Sequence, residues 1–181
     1  LGCTDLLVAL YFDQMHLLEE NGTPVFSMYG LNEDLFFLSN GHISPVWYSV
    51  LARRGYFFSA ELATFRQIDS RLQGHPTTHE HLPGIRIASG SLGQGLSVAL
   101  GAAFAKRLAH DNSYVYCLMG DGEQQEGQVW EAAMFAPHHQ LDRVIAFIDL
   151  NGQQIDGPTV KVMNNRDLGE KYQAFGWEVM H

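Results

Sequence analysis

Apolar and polar positions along the chain follow two periods. From Thr4 to Leu18 the apolar residues Leu7, Leu10, Tyr11 and Leu17 recur at helical spacing, and Asn21-Gly22 supplies a stop. Ser44-Pro45 gives a cap and a first-turn proline for a second helix ending near Gly55, and a third is expected from Ser59 to about Leu72. GHPTTHEHLPG (Gly74 to Gly84) is too rich in breakers to be regular. The glycine-rich turn SGSLGQG (Ser89 to Gly95) opens an apolar helix from Leu96 to Leu108. Continuous apolar runs then predict strands at Tyr114 to Met119 and Val144 to Leu150, on either side of a helix around Trp130, Ala132 and Ala133. Asp167 with Glu170 forms a capping box for a last helix, and Trp177 to Met180 reads as a final strand.

Strands alternating with helices imply an α/β fold: a doubly wound, mostly parallel sheet with helices on both faces, in one domain over residues 1–181. No internal repeat, linker or low-complexity tract interrupts it. A chain of 181 residues can bury a substantial core without staples. It opens on Leu1, inside an expected helix, and closes on an expected strand, so both ends read as cuts within a longer polypeptide.

Composition narrows the function. Eleven basic against twenty acidic residues leave a formal charge of −9, which repels phosphate backbones and argues against nucleic acid. No apolar run approaches the roughly 18 residues of a membrane span, and the amino terminus is not signal-like. Two cysteines, Cys3 and Cys117, make no disulfide framework; Cys117 lies within an apolar strand as a small hydrophobe, and a reducing, cytoplasmic setting is expected.

The candidate chemistry sits where apolar runs stop. Tyr114 to Gly127 reads YVYCLMGDGEQQEG: a strand ends in an aspartate held between two glycines. Asn151 ends the neighbouring strand thirty positions after Asp121. Turns after adjacent parallel strands lie on one sheet edge, where ligands collect, so the two side chains can converge. A carboxylate, an amide oxygen and a backbone carbonyl make a partial shell for Mg²⁺ or Ca²⁺. Gly120 and Gly122 leave room for a phosphate close to the backbone. Taken singly, Gly-Asp-Gly and Asn-Gly are more often plain turns; together at this spacing they favour a site. SGSLGQG runs G-x-x-G-x-G and lacks a preceding strand, which disfavours a dinucleotide loop. Of nine histidines, His79, His81, His138 and His139 read as surface residues, while His42 and His75 are even bets on position alone. Trp47, Trp130 and Trp177 read as core.

Gly120-Asp121-Gly122, twenty-eight residues and then Asn151 resembles the thiamine diphosphate motif. SNGH (Ser39 to His42), GHP (Gly74 to Pro76), SGSLGQG and IDGPT (Ile155 to Thr159) resemble the transketolase branch in order and spacing, covering about residues 1 to 160. The length is similar to the diphosphate domain of transketolases split into two polypeptides. The resemblance implies that Asp121, Asn151 and the carbonyl of Gln153 ligate Mg²⁺. It places Gly120, Gly122, Glu123 and His42 in the diphosphate-binding set. His75 would face the substrate and the reacting carbon, making His75 and His42 the catalytic candidates. Gly90 and Leu92 would touch the aminopyrimidine and thiazolium, and Ile155 would pack under the bent cofactor. Glu126 matches an acid that joins carboxylates across an interface between subunits, with Glu131 a candidate partner.

The implied reaction moves a two-carbon ketol unit from a ketose phosphate to an aldose phosphate. The glutamate that activates the aminopyrimidine lies in a separate pyrimidine-binding domain in this family, and nothing here matches that domain. Activity is therefore expected only with such a partner, in a homo- or hetero-oligomer. Departures from the family pattern are Asp-Leu-Asn before the metal asparagine, Ser91 where many relatives carry proline, and the lack of a Gly-His segment before the first helix. The first two remove no ligand; the Gly-His segment, and another histidine expected beyond the present end, are cofactor-region residues that the resemblance implies and this sequence does not contain. The alternatives are a non-catalytic assembly subunit, another thiamine diphosphate enzyme such as deoxyxylulose phosphate synthase, and an unrelated Mg²⁺-dependent nucleotide-binding domain.

Overall fold

The computed structural model describes residues 2–181, and the chain enters through α1 (Thr4–Ala9), which continues into a π-helical turn over Leu10–Gln14. The expected helix to Leu18 therefore stops early. Asn21-Gly22 is no helix stop: it is the tip of a hairpin between β1 (Glu19–Glu20) and β2 (Thr23–Pro24). Both tip residues have positive φ, 53° and 76°, the conformation for which Asn-Gly is the favoured pair in a two-residue hairpin turn.

The central sheet is parallel and three-stranded, in the order β3 (Leu35–Leu38), β4 (Val115–Gly120), β5 (Val144–Asp149). The sequence pattern missed β3, because LFFL is an apolar run of only four residues, too short to tell a buried strand from a piece of helix. Alternation does govern what each face meets. Phe36, Leu38, Tyr116 and Leu118 pack with Leu7, Tyr11, Trp47 and Leu51 on one side. Leu35, Phe37, Val115, Cys117 and Met119 pack with Leu96, Leu100, Val129 and Ala133 on the other. The first side is covered by α1 and α2 (Ser44–Arg54), the second by α3 (Gly95–Leu108) and α4 (Gly127–His138). Helices on both faces of a parallel sheet are the expected α/β arrangement, and β4-α4-β5 is the expected βαβ unit.

A second hairpin, β6 (Gln153–Gln154) with β7 (Gly157–Pro158), leads into α5 (Thr159–Val162) and then α6 (Leu168–Phe175). Asp167 caps α6 as expected, its Oδ1 accepting the Glu170 N–H at 2.9 Å. Two further expectations fail. The helix from Ser59 to Leu72 is only a 3₁₀ segment, Ser59–Thr64, because Arg66 and Asp69 adopt left-handed φ of 60° and 61°. Trp177 to Met180 forms no strand among the described residues: Gly176 closes α6 in a left-handed cap, and the Trp177 indole turns to the Ala133 carbonyl at 2.8 Å. No helix among the described residues is long and apolar enough to cross a membrane.

Candidate functional site

Asp121 follows β4 and is 5% exposed. Its Oδ1 accepts the N–H of Gly122 at 2.8 Å, and its Oδ2 accepts the N–H of Gly152 at 2.7 Å. The second bond ties the turn after β4 to the turn after β5. The carbonyl of Asp121 accepts from Asn165 Nδ2 at 2.5 Å, so the segment after α5 folds back onto the same turn. Asn165 carried no signal in the sequence, because its role depends on a contact across 44 positions.

Asn151 is exposed, and its own turn aims it: Oδ1 accepts the Gln153 N–H at 2.9 Å and Nδ2 donates to Asp149 Oδ2 at 3.1 Å. An asparagine bonded to the backbone two residues on is an Asx turn, which explains Asn-Gly at a strand end. Gln153 and Ile155 project from the β6–β7 hairpin, Ile155 being 99% exposed.

The other motif segments meet through their glycines. A methyl group on Gly41 would come within 2.7 Å of the Gly90 N and 2.8 Å of the Ser89 carbonyl carbon, so the turn carrying His42 lies against the SGSLGQG loop. A methyl group on Gly90, whose φ is +116°, would reach the His75 ring at 2.6 Å. The order along this wall is therefore His75, Gly90, then the turn of His42. Ser44 Oγ donates to the Gly74 carbonyl at 2.7 Å and the Ser89 N–H to the Pro76 carbonyl at 3.0 Å, fixing GHP beside it. His42, His75 and Leu92 are all exposed at its surface.

Glu123 faces inward, 2% exposed. Below it the Cys117 thiol and the Tyr172 phenol are held protonated, above their ordinary ranges: burial is the main cause for both, and the Glu123 charge adds to it. Glu126 and Glu131 are exposed at the start of α4.

Whether a polar ligand fits can be judged from atoms left over. Asn40 Oδ1, Ser89 Oγ and Gln154 Oε1 are buried without a hydrogen-bond partner among the described residues. All three flank the wall: Asn40 beside Gly120, Ser89 against Gly41, Gln154 against Gly122. Unpaired buried polar groups are uncommon, and a cluster of them fits a polar group arriving from outside the chain. At Gly122 a methyl group would strike Gln154 Cβ at 2.9 Å, so packing alone demands glycine there. At Gly120 the nearest atom would be 3.9 Å away, so the chain itself leaves that space free. For a metal the donor set is thin: no cluster of three or more His, Cys, Asp or Glu occurs among the described residues. One carboxylate with amide and carbonyl oxygens suits a cation that keeps waters and phosphate oxygens as its remaining ligands.

Two depressions lie near this wall. A basin beside it is lined by Arg66, Gly74, His75, Thr77, His79 and Glu80. A groove of about 900 Å³ runs along β5 to Asp149 and Leu150 at its end, and neither His75 nor Asp121 lines it. Of the motif residues, His42, His75, Leu92, Asn151 and Ile155 are exposed, while Asp121 is buried between the two turns.

The profile of the transketolase thiamine diphosphate-binding domain matches residues 4–181. The chain is 38% identical over 180 residues to one subunit of the apulose-4-phosphate transketolase from Phocaeicola vulgatus, covering 99% of this chain and 61% of that protein. It is 41% identical to a 6-deoxy-6-sulfo-D-fructose transketolase subunit from a Clostridium species, covering 99% of this chain and 62% of the relative. Human transketolase is 42% identical over 153 residues, 82% of this chain and 24% of that one. Among solved structures, transketolase from Campylobacter jejuni superposes with a TM-score of 0.81 at 32% identity, over 95% of this chain and 27% of its own. The chain thus spans under two thirds of these relatives' lengths.

Proposed function

The chain belongs to the transketolase thiamine diphosphate-binding domain family, and from that premise we propose that it provides the diphosphate and metal wall of a transketolase, acting on a ketose phosphate donor and an aldose phosphate acceptor. The observation that carries the reading is the bond from the Gly152 N–H to Asp121 Oδ2, which brings the turns holding Asp121 and Asn151 together. Two oxygen-bearing turns joined in this way can present the Asp121 carboxylate, the Asn151 amide oxygen and the Gln153 carbonyl to one Mg²⁺. A metal held there screens a diphosphate from the chain's net negative charge.

Thiamine diphosphate supplies, when bound, a nucleophilic carbon and a sink for the electron pair released as a carbon–carbon bond breaks. The chain's own residues bind and orient. Gly120 gives a phosphate space against the backbone, and His42, exposed on the turn that packs against the SGSLGQG loop, would be a donor to it. His75 is held against Gly90, where its imidazole can hand a proton to, or take one from, the substrate's oxygens. Leu92 and Ile155 are exposed apolar groups that would lie against the thiazolium and keep water from it.

The wall has one side. Ile155, Glu126 and Glu131 face outward, which suits a pyrimidine-binding partner, on a second chain or in a further domain, closing over them. The names of two relatives, each one of the subunits of a transketolase, are compatible with that arrangement. The test is an assay of ketol transfer by the full-length protein alone and with a pyrimidine-domain partner. Turnover only in the mixture, dependent on Mg²⁺ and thiamine diphosphate, is the expected result. Thiamine diphosphate binding without turnover in the complete mixture would leave a non-catalytic assembly role, and preference for a nucleotide in competition calorimetry would overturn the cofactor.

A further inference from the structure

We infer that Glu123 is a positioning residue, the anchor that holds three cofactor-facing segments in one wall without itself touching the cofactor. The inference rests on the cofactor reading above, and the geometry behind it does not. Glu123 Oε1 accepts from the Ser39 hydroxyl and from the Gly93 N–H, the latter at 2.8 Å. Its Oε2 accepts the Gly120 N–H at 3.0 Å. These donors come from SNGH, from SGSLGQG and from the strand end that carries Asp121, respectively 84, 30 and 3 positions away in the chain. Ser39 extends the network, because its Oγ also accepts the Gly95 N–H at 3.0 Å at the start of α3. A methyl group on Gly95 would lie 2.3 Å from Ser39 Cβ, so the two backbones meet at closest approach.

Only one kind of side chain satisfies this junction. Three donors converge, two of them backbone N–H groups that cannot accept, so the group between them must accept on both of its atoms, which describes a carboxylate. Glutamine would turn an NH₂ toward a donor, and alanine would leave two backbone amides and a hydroxyl unpaired in a buried place. Burying a charge is costly unless it is fully hydrogen-bonded. Here the charge is met by donors from three separate segments, so keeping it fixes their spacing. Both oxygens are taken up by donors within the protein, away from the surface where His42 and Leu92 stand and from the carboxylate of Asp121, which bonds Gly122 and Gly152 instead. Its effect on a ligand must pass through those residues.

The experiment compares the wild-type full-length protein with Glu123→Gln and Ser39→Ala, using amide hydrogen exchange without cofactor and calorimetry with thiamine diphosphate and MgCl₂. Both are run where circular dichroism shows every protein folded. In Glu123→Gln, exchange should rise at Gly93, Gly95 and Gly120 while Leu118 and Phe147 in the sheet stay protected. Cofactor affinity should fall by about tenfold or more, as for residues that orient ligands from behind. Ser39→Ala should shift both readings the same way by less, and the double variant should be little worse than Glu123→Gln, because both residues act in one network. Unchanged affinity in folded Glu123→Gln, or exchange that rises evenly through the sheet, overturns the inference. If Glu123→Gln does not fold, Ser39→Ala decides it by the same two readings. A wild-type protein that fails to bind thiamine diphosphate would defeat the cofactor reading instead, and the three amides would still report whether Glu123 anchors the wall.

Discussion

The turn after β4 and the hairpin after β5 stand side by side on one sheet edge and are built in opposite ways. Asp121 and Glu123 are themselves buried, and their carboxylates are answered by partners that include distant segments. The β6–β7 hairpin instead leaves Asn151, Gln153 and Ile155 exposed, and its side-chain bonds at Asn151 are local. A preorganised charge site needs fixed donors and low mobility, which only tertiary contacts provide. An apolar residue that must meet something outside the chain needs the reverse. The contrast sets a buried, cross-linked turn beside an exposed hairpin held by local bonds.

The severest test of that contrast is at Asp121. Asp121→Ala removes the one charged ligand candidate and the acceptor for Gly152, so Mg²⁺-dependent thiamine diphosphate binding should be abolished. Calorimetry with and without Mg²⁺ checks this, and metal-dependent binding that survives in the variant would sink the assignment. Next in size is His75→Ala, which should slow turnover of the assembled enzyme by about 10² to 10⁴ while cofactor affinity changes little. Equal losses in kcat and in cofactor affinity would move His75 into the diphosphate set.

A smaller effect tests the packing that holds His75. Gly90→Ala brings a methyl group to 2.6 Å from the imidazole at a φ of +116°. It should cost about 1 to 3 kcal/mol in stability, from the strained backbone. Thermal melts of the cofactor-free protein measure it, and a variant as stable as the wild type would show that loop to be yielding. The smallest change in stability belongs to Ile155→Ser. A side chain 99% exposed contributes little, so unfolding should shift by no more than about 0.5 kcal/mol. Cofactor affinity in the assembled enzyme should still weaken, and a melt that moved as far as for Gly90→Ala would mean that the hairpin belongs to the cross-linked part.

Legibility in the sequence followed the range of the forces involved. The strand ends, the N-cap at Asp167 and the helix opening at SGSLGQG rest on neighbours a few residues apart, and the structure keeps them. The failed expectations at Ser59 to Leu72 and Trp177 to Met180 had apolar content fit for regular structure, but left-handed residues and side-chain anchoring redirected the backbone. Asn21-Gly22 contained the right signal for a turn, attached to the wrong element.

Among site residues, Asp121 and Asn151 could be paired from the sequence, because a parallel βαβ unit puts both turns on one edge whatever the details of packing. Glu123 could be named as part of the site, but its direction could not be read. Whether a carboxylate in a turn points to solvent or into the protein depends on which donors the rest of the chain brings to it. Those donors are Ser39, Gly93 and Gly120, and the first two lie far away in sequence. Asn165 and the unpaired oxygens of Asn40, Ser89 and Gln154 were likewise beyond any local pattern. Residue order alone sets the alternation of strand and helix, the placement of Asp121 and Asn151 at strand ends, and the family. Which polar groups look inward and which outward is settled only in the folded molecule, because hydrogen-bond partners and burial are set by approach in space between segments that covalent order leaves far apart.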